Sequence, residues 1–408
     1  MNKASVVKTS ERTGQQVDPT DMPVTTSACF ALVGTGETVV ASGCRQVPIR
    51  AGEPLAPQLA AALADAGTAD AVLVGALPYD RTQPAHLMRP SEWSRVPGRS
   101  GAGVFGQPSL VRVGGEASQW RVRPEPSLEV YRAAVTEALA HMERRPDLRK
   151  VVLSRALRVS GDRPIDVRAL LGRLAEDPAA TAFCVPLPPQ GGTGRLLVGA
   201  TPELLVSRRG EVVTSHPLAG SARRSADPLL DREAADALAI SDKDNREHRE
   251  VVTAILDQLA PYCRELGTPE GTRLVATASM WHLGTRIVGR LRDTAVSSLE
   301  LAALLHPTPA VCGTPRDAAA ELISELEVHD RGFYAGAVGW CEATGDGDWH
   351  VALRCAEIAG REARLHAGAG IVRGSDPVAE GEETAAKFAA MLRALGLDEA
   401  IAFEGTAA

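Results

Sequence analysis

Strand-like runs joined by short turns dominate the middle of this 408-residue chain: KVVLSRALRV, TAFCVPL, RLLVGA, ELLVSR and EVVTSHP follow one another between Lys150 and Pro217. Such links favour antiparallel pairing. Three more runs (FYAGAVGWCEA, WHVALRCAEI and REARLHAGAGIV) come near the C-terminus, and ACFALVG, ADAVLVGAL and VRVGG near the N-terminus. Apolar spacing predicts helices over Leu55–Ala66, Leu128–Glu143 (ended by Pro146), about Pro228–Cys263, 298–305, Arg316–Leu326 and Pro377–Leu395. Strand clusters separated by long helices predict an α+β fold rather than alternating βαβ units. GAGIVRG does not match GxGxxG and opens no helix, so no dinucleotide site is expected. The Pro/Gly/Ser-rich stretch 90–108 reads as a surface loop, and Gly345–Asp348 (GDGD) as a tight hairpin rather than a calcium loop.

Composition closes several function classes. The net charge is −7, and no basic run is interleaved with aromatics, which argues against nucleic-acid binding. No apolar run reaches the roughly 18 residues of a membrane span. Residues 1–25 are polar and lack a signal peptide's apolar core; they read as a disordered lead-in, leaving 26–400 for the folded domain. Seven cysteines, odd in number and without a CxxC pair, read as reduced cytoplasmic thiols rather than zinc ligands or a disulfide framework.

Three glutamates are the first candidates for chemistry. Glu380, Glu383 and Lys387 recur at i, i+3 and i+7 in EGEETAAK, so a helix puts them on one face. Just upstream, Ala363–Val372 reads as a strand ending in Gly368 and Gly370, and Glu247 lies far back in SDKDNREHRE. Two carboxylates on one helix face and a third on another helix suit a hard cation such as Mg²⁺. On spacing alone they also suit solvated helix charges, with Glu383 and Lys387 an ordinary i,i+4 pair.

Nine segments in order resemble those of the chorismate-utilising enzymes: RKVVLSR, GATPELLVSR, TSHPLAGSARR, DKDNREH, HPTPAVCGTP, FYAGAVGW, LRCAEI, HAGAGIVRGSDP and ExxETxxK. The resemblance spans roughly residues 125–395, and HPTPAVCGTP and DKDNREH look most like isochorismate synthases of catecholate-siderophore pathways. It implies one large domain of two facing antiparallel sheets with helices outside, as in component I of anthranilate synthase. It also implies a monomer acting on chorismate with Mg²⁺.

Making isochorismate requires water to attack C2 of chorismate while the C4 hydroxyl leaves. Water needs a base and hydroxide needs an acid. By resemblance Lys150 is the base and Glu203 the acid, and His282 lies near the reacting ring, although a structural histidine reads equally well there. A lysine base needs its pKa lowered, and Arg149 and Arg155 are the nearest cations in sequence. A glutamate acid needs its pKa raised by an apolar site. The resemblance gives Arg354 and Tyr334 the enolpyruvyl carboxylate, and gives Glu247 and Glu383 the Mg²⁺ that binds the ring carboxylate, with Glu380 acting through water. Gly220, Gly368, Gly370 and Lys387 complete the pocket. Lys150 points to water rather than ammonia as nucleophile. Ala219 counts against aminodeoxychorismate synthase. Ala310 favours release of isochorismate over pyruvate elimination, leaving salicylate synthase as the runner-up and a non-catalytic binding paralogue as the contrasting class.

Overall fold

The computed structural model describes residues 30–64, 71–99, 119–190 and 192–397. The expected lead-in 1–25, the run VRVGG and residues 100–108 of the expected loop lie outside them. Among the described residues the strands form sheets of ten, nine and three strands, paired antiparallel throughout. This is the expected α+β arrangement with one addition, a small sheet of Leu218–Arg223, Met280–Thr285 and Thr272–Ala276.

The two large sheets face each other. Phe30, Leu32, Phe183 and Leu197 of the ten-stranded sheet share one apolar core with Val74, Val206, Trp340 and Trp349 of the nine-stranded sheet. Burying each such side chain stabilises the fold by roughly 1.5–3 kcal/mol. Helices Val167–Leu174 and Pro377–Leu395 cover Leu157, Val198, Ile358 and Leu365 of the ten-stranded sheet. Helices Leu128–Arg144 and Arg316–Leu326 cover Val151, Leu153 and Ile371.

The structure corrects the sequence reading at several places. The single helix expected over Pro228–Cys263 is two, Pro228–Ile240 and Asp242–Leu259. Ser241 between them has an extended ψ of 114°, and its hydroxyl accepts from the Asp244 N–H, so it ends one helix and caps the next. Cys263 opens a strand, Cys263–Gly267. The expected loop at 90–108 holds an edge strand, Glu92–Pro97, paired with Glu37–Ser42. Its proline is the last residue, where a missing N–H is tolerated.

Two runs that looked like continuous strands or hairpins instead cross between sheets. Thr193–Thr201 belongs to the ten-stranded sheet and Leu204–Arg209 to the nine-stranded one. WHVALRCAEI divides in the opposite sense, into Gly347–Val351 and Cys355–Ala359. Pro202 cannot donate to a ladder, and Arg354 takes a left-handed φ of +46°, so each interrupts its strand. The crossings run side by side: Val351 N donates to Glu203 O at 3.1 Å, and Ala200 N to Arg354 O at 3.2 Å. A third, His216–Leu218, passes into the small sheet. The candidate site lies where the chain changes sheets.

Candidate active site

A cleft of about 760 Å³, its open mouth included, is lined by eleven of the thirteen residues singled out from the sequence. Lys150 and Glu380 are the two that do not line it; both are buried directly behind it.

Glu203 sits on the first crossing and is 2 % exposed. Burial pushes its carboxyl up to about 8, against the opposing charges of Lys150, Lys387 and Arg354 and a hydrogen bond from the Leu218 N–H. At neutral pH it is therefore largely a protonated acid, the state its expected role requires. Lys150 is wholly buried. Its Nζ lies 3.0 Å from Glu247 Oε1, an ion-pair distance without hydrogen-bonding geometry. Neither arginine flagged as a neighbour turns toward it: Arg149 pairs with Glu250 and Arg155 donates to Thr384 Oγ1. Gly370 flanks the pair, and a Cβ added there would fall 3.0 Å from Lys150 Cε and 2.3 Å from Glu247 Oε1.

The second crossing carries a buried cation, Arg354. Burial lowers the Arg354 guanidinium to about 10, still cationic at neutral pH. It donates through Nη2 to His282 Nε2, and the His282 ring gives its other N–H to the Gly220 carbonyl. Burial, then the charge of Arg354, holds His282 well below the usual histidine range, so the ring is neutral. The hydrogen bonds assign its proton to Nδ1. Gly220 has φ +75°, and a Cβ there would meet Asp244 Cβ at 2.9 Å; only glycine fits. Tyr334 is stacked face to face on His366, with ring centroids 4.8 Å apart and planes at 13°. Burial raises its hydroxyl pKa, so it remains a neutral donor.

The C-terminal helix carries Glu380, Glu383 and Lys387 on one face, as expected. It starts at Asp376, whose side chain caps Val378 N and Ala379 N, and ends at left-handed Gly396. Each of the three glutamates holds a lysine: Glu247–Lys150 at 3.0 Å, Glu380–Lys243 at 2.7 Å and Glu383–Lys387 at 2.7 Å. Among the described residues no three His, Cys, Asp or Glu side chains form a ready-made metal cluster. The donor set nevertheless fits a hard cation. It offers only oxygen, Glu380 Oε2 is buried without a hydrogen-bond partner, and Asp244 adds a fourth carboxylate whose pKa is raised by burial and by the charges of Glu247 and Glu383. Burial and Glu383 likewise raise Glu380. Burial acts against ionisation of Glu383 too, but Lys387 and a 2.9 Å hydrogen bond from Ser221 outweigh it and keep the carboxyl below its ordinary range.

Sequence reasoning assigned no role to Ser221, Asp244 or His366, though all three lie in quoted segments. For Asp244 the signal was its i,i+3 spacing from Glu247, which repeats that of Glu380 and Glu383. For His366 it was strand alternation: 366, 368 and 370 share a face.

Comparison with known proteins shows the family and the fold. The family profile described as "Chorismate binding enzyme" matches residues 113–396. Isochorismate synthase DhbC of Bacillus subtilis is 43% identical over 382 residues, covering 90% of this chain and 94% of that protein. The crystal structure of a protein provisionally described as the 2,3-dihydroxybenzoate-specific isochorismate synthase DhbC of Bacillus anthracis superposes with TM-score 0.85. It is 39% identical and covers 93% of this chain and 99% of its own. Anthranilate synthase component I of Streptococcus pneumoniae shares the fold at TM-score 0.69 and 18% identity, covering 96% of this chain and 100% of that one. The chain belongs to the chorismate-binding enzyme family.

Proposed function

We propose that this chorismate-binding enzyme converts chorismate to isochorismate, feeding synthesis of 2,3-dihydroxybenzoate and a catecholate siderophore. The names of its relatives support both the reaction and the destination. The observation that carries the reading is Glu203, a buried carboxyl held protonated in a cleft that also holds a cationic arginine.

In this reading Arg354 and Tyr334 hold the enolpyruvyl carboxylate, a guanidinium being suited to bidentate recognition. Lys150 takes a proton from water as the oxygen bonds to C2. The electron pairs of the two ring double bonds shift, the C4–O bond breaks, and Glu203 gives its proton to the departing hydroxide. Protons and electrons balance, and the reaction is an isomerisation. Glu247 and Glu383, with Glu380 and Asp244 behind them, would hold Mg²⁺ against the ring carboxylate. That ion, when bound, would supply Lewis-acid polarisation of the ring.

Purified protein incubated with chorismate and Mg²⁺ is expected to yield isochorismate, separated by chromatography and identified by mass and absorbance. EDTA should stop turnover and Mg²⁺ restore it. Stoichiometric pyruvate, read by coupling to lactate dehydrogenase, would replace this reading with salicylate synthase.

A further inference from the structure

The small sheet supplies Gly220, Ser221 and His282 to the cleft, yet no strand ladder joins it to the ten-stranded sheet. Side chains do so instead. One tie is the hydrogen bond between Arg354 and His282. A second lies four residues back in the same hairpin, where the Ala278 N–H donates to Asp177 Oδ2 at 3.0 Å. Asp177 sits in the turn between helix Val167–Leu174 and strand Thr181–Gln190, and it does not itself line the cleft.

Neither end of this second tie is loose. Asp177 Oδ1 accepts the Ala179 N–H at 3.0 Å, and Arg99 donates to the carbonyls of Ala175, Asp177 and Ala180. In the hairpin turn, Arg224 donates through Nη1 to the Thr277 carbonyl at 3.1 Å and through its N–H to the Ser279 carbonyl at 3.0 Å. Asp231 in turn grips Arg224 at 2.8 Å. The two ties close a ring of contacts. Thr181, where the Asp177 turn enters its strand, pairs with Thr201. The neighbouring Ala200 N–H donates to the Arg354 carbonyl, and Arg354 holds His282. Asp177 also brings a charge. After burial it is the strongest influence on Arg354, ahead of Glu203, and it favours the cation. The same negative charge repels an anion that approaches Arg354.

We propose that Asp177 is a positioning residue for substrate binding: its hydrogen bond to Ala278 holds the His282 hairpin in place against Arg354, and its charge moderates how tightly Arg354 holds a carboxylate. This rests on the chorismate reading of the cleft. The two effects oppose each other, so substitutions that separate them should move affinity in different directions.

Steady-state kinetics with chorismate and Mg²⁺ makes that separation. Asp177→Ala removes both the hydrogen bond and the charge. Asp177→Asn removes the charge but keeps an oxygen that can accept the Ala278 N–H. For Asp177→Ala, KM should rise about 10-fold, the scale of a hydrogen bond to a charged group. Its kcat should stay within about 3-fold, because Lys150 and Glu203 lie outside the hairpin. For Asp177→Asn, KM should be no higher than in the wild type. An unchanged KM in Asp177→Ala would overturn the proposal. So would equal rises in the two variants, the mark of a turn that is merely structural, or a loss of kcat larger than the rise in KM. A second readout needs no substrate. In ¹⁵N-histidine spectra of the free proteins, the His282 ring resonances should move in Asp177→Ala and stay near their wild-type positions in Asp177→Asn; resonances unmoved by Asp177→Ala would overturn the tether. Wild-type protein that forms no isochorismate would remove the proposed function, while these spectra would still decide whether Asp177 positions His282.

Discussion

Gly370→Ala is the sharpest single test of how the site is built. The glycine lies in an extended strand opposite Val152, with a backbone that alanine adopts freely, so any cost comes from the methyl group alone. That methyl would sit 2.3 Å from Glu247 Oε1, 2.9 Å from its Cδ and 3.0 Å from Lys150 Cε. Ordinary contact needs about 3.5 Å, so the Glu247 carboxylate must retreat by about 1 Å. It can, being the end of a flexible side chain, but it then leaves Lys150. Overpacking costs roughly 1–3 kcal/mol, which a fold stable by about 5–15 kcal/mol survives. Urea denaturation should therefore show a lowered midpoint with an unchanged slope. A displacement of about 1 Å at reacting groups costs on the order of 10²-fold, so kcat should fall by about that much while the protein stays folded. Gly172→Ala is the control. It lies in the helix Val167–Leu174 with nothing within 4 Å of the new methyl, and should stabilise by roughly 0.5–1 kcal/mol without touching kcat. A Gly370→Ala enzyme with wild-type kcat would refute the claim that Lys150 and Glu247 work as a close-packed pair.

Glu203 has a folded pKa of about 8, above its ordinary 4.5, so between those values the folded protein keeps a proton that the unfolded chain has lost. Its contribution makes stability fall as pH rises from about 4.5 to about 8 and level off above that. The difference in urea midpoint between wild type and Glu203→Gln should follow this course, and wild-type kcat should decline as pH passes about 8. Lys150→Ala should lower turnover about 10²–10⁴-fold while chorismate still binds. Arg331→Met strips a buried partner from Glu327 and from two carbonyls; it should cost about 3–5 kcal/mol in denaturant melts, and a loss under 1 kcal/mol would show the pair to be dispensable.

Most of the candidate site came from the resemblance of its nine segments to those of the chorismate-utilising enzymes. Helical periodicity by itself put Glu380, Glu383 and Lys387 on one face but left metal ligands and solvated charges equally open, and strand alternation put Gly368 and Gly370 on one face. The crossings were not legible. A proline at 202 and a left-handed Arg354 read as strand interruptions, but nothing local says that the chain resumes in another sheet, because that is decided by packing of Val206 and Trp349 across the core. The break at Ser241 was signalled weakly, since a serine before DKD reads as an N-cap only if the helix before it has ended. Pairings such as Lys243 with Glu380 join residues far apart in the chain, and charge patterning along one helix cannot reveal them.

The central claim is that water attacks C2 while Glu203 protonates the hydroxide leaving C4. Isotopic labelling tests it directly. Chorismate turned over with Mg²⁺ in H₂¹⁸O should give isochorismate two mass units heavier, with the label in its C2 hydroxyl. Unlabelled isochorismate would mean that the hydroxyl migrates within the substrate, and salicylate with pyruvate would mean that the enzyme eliminates; either result contradicts the account.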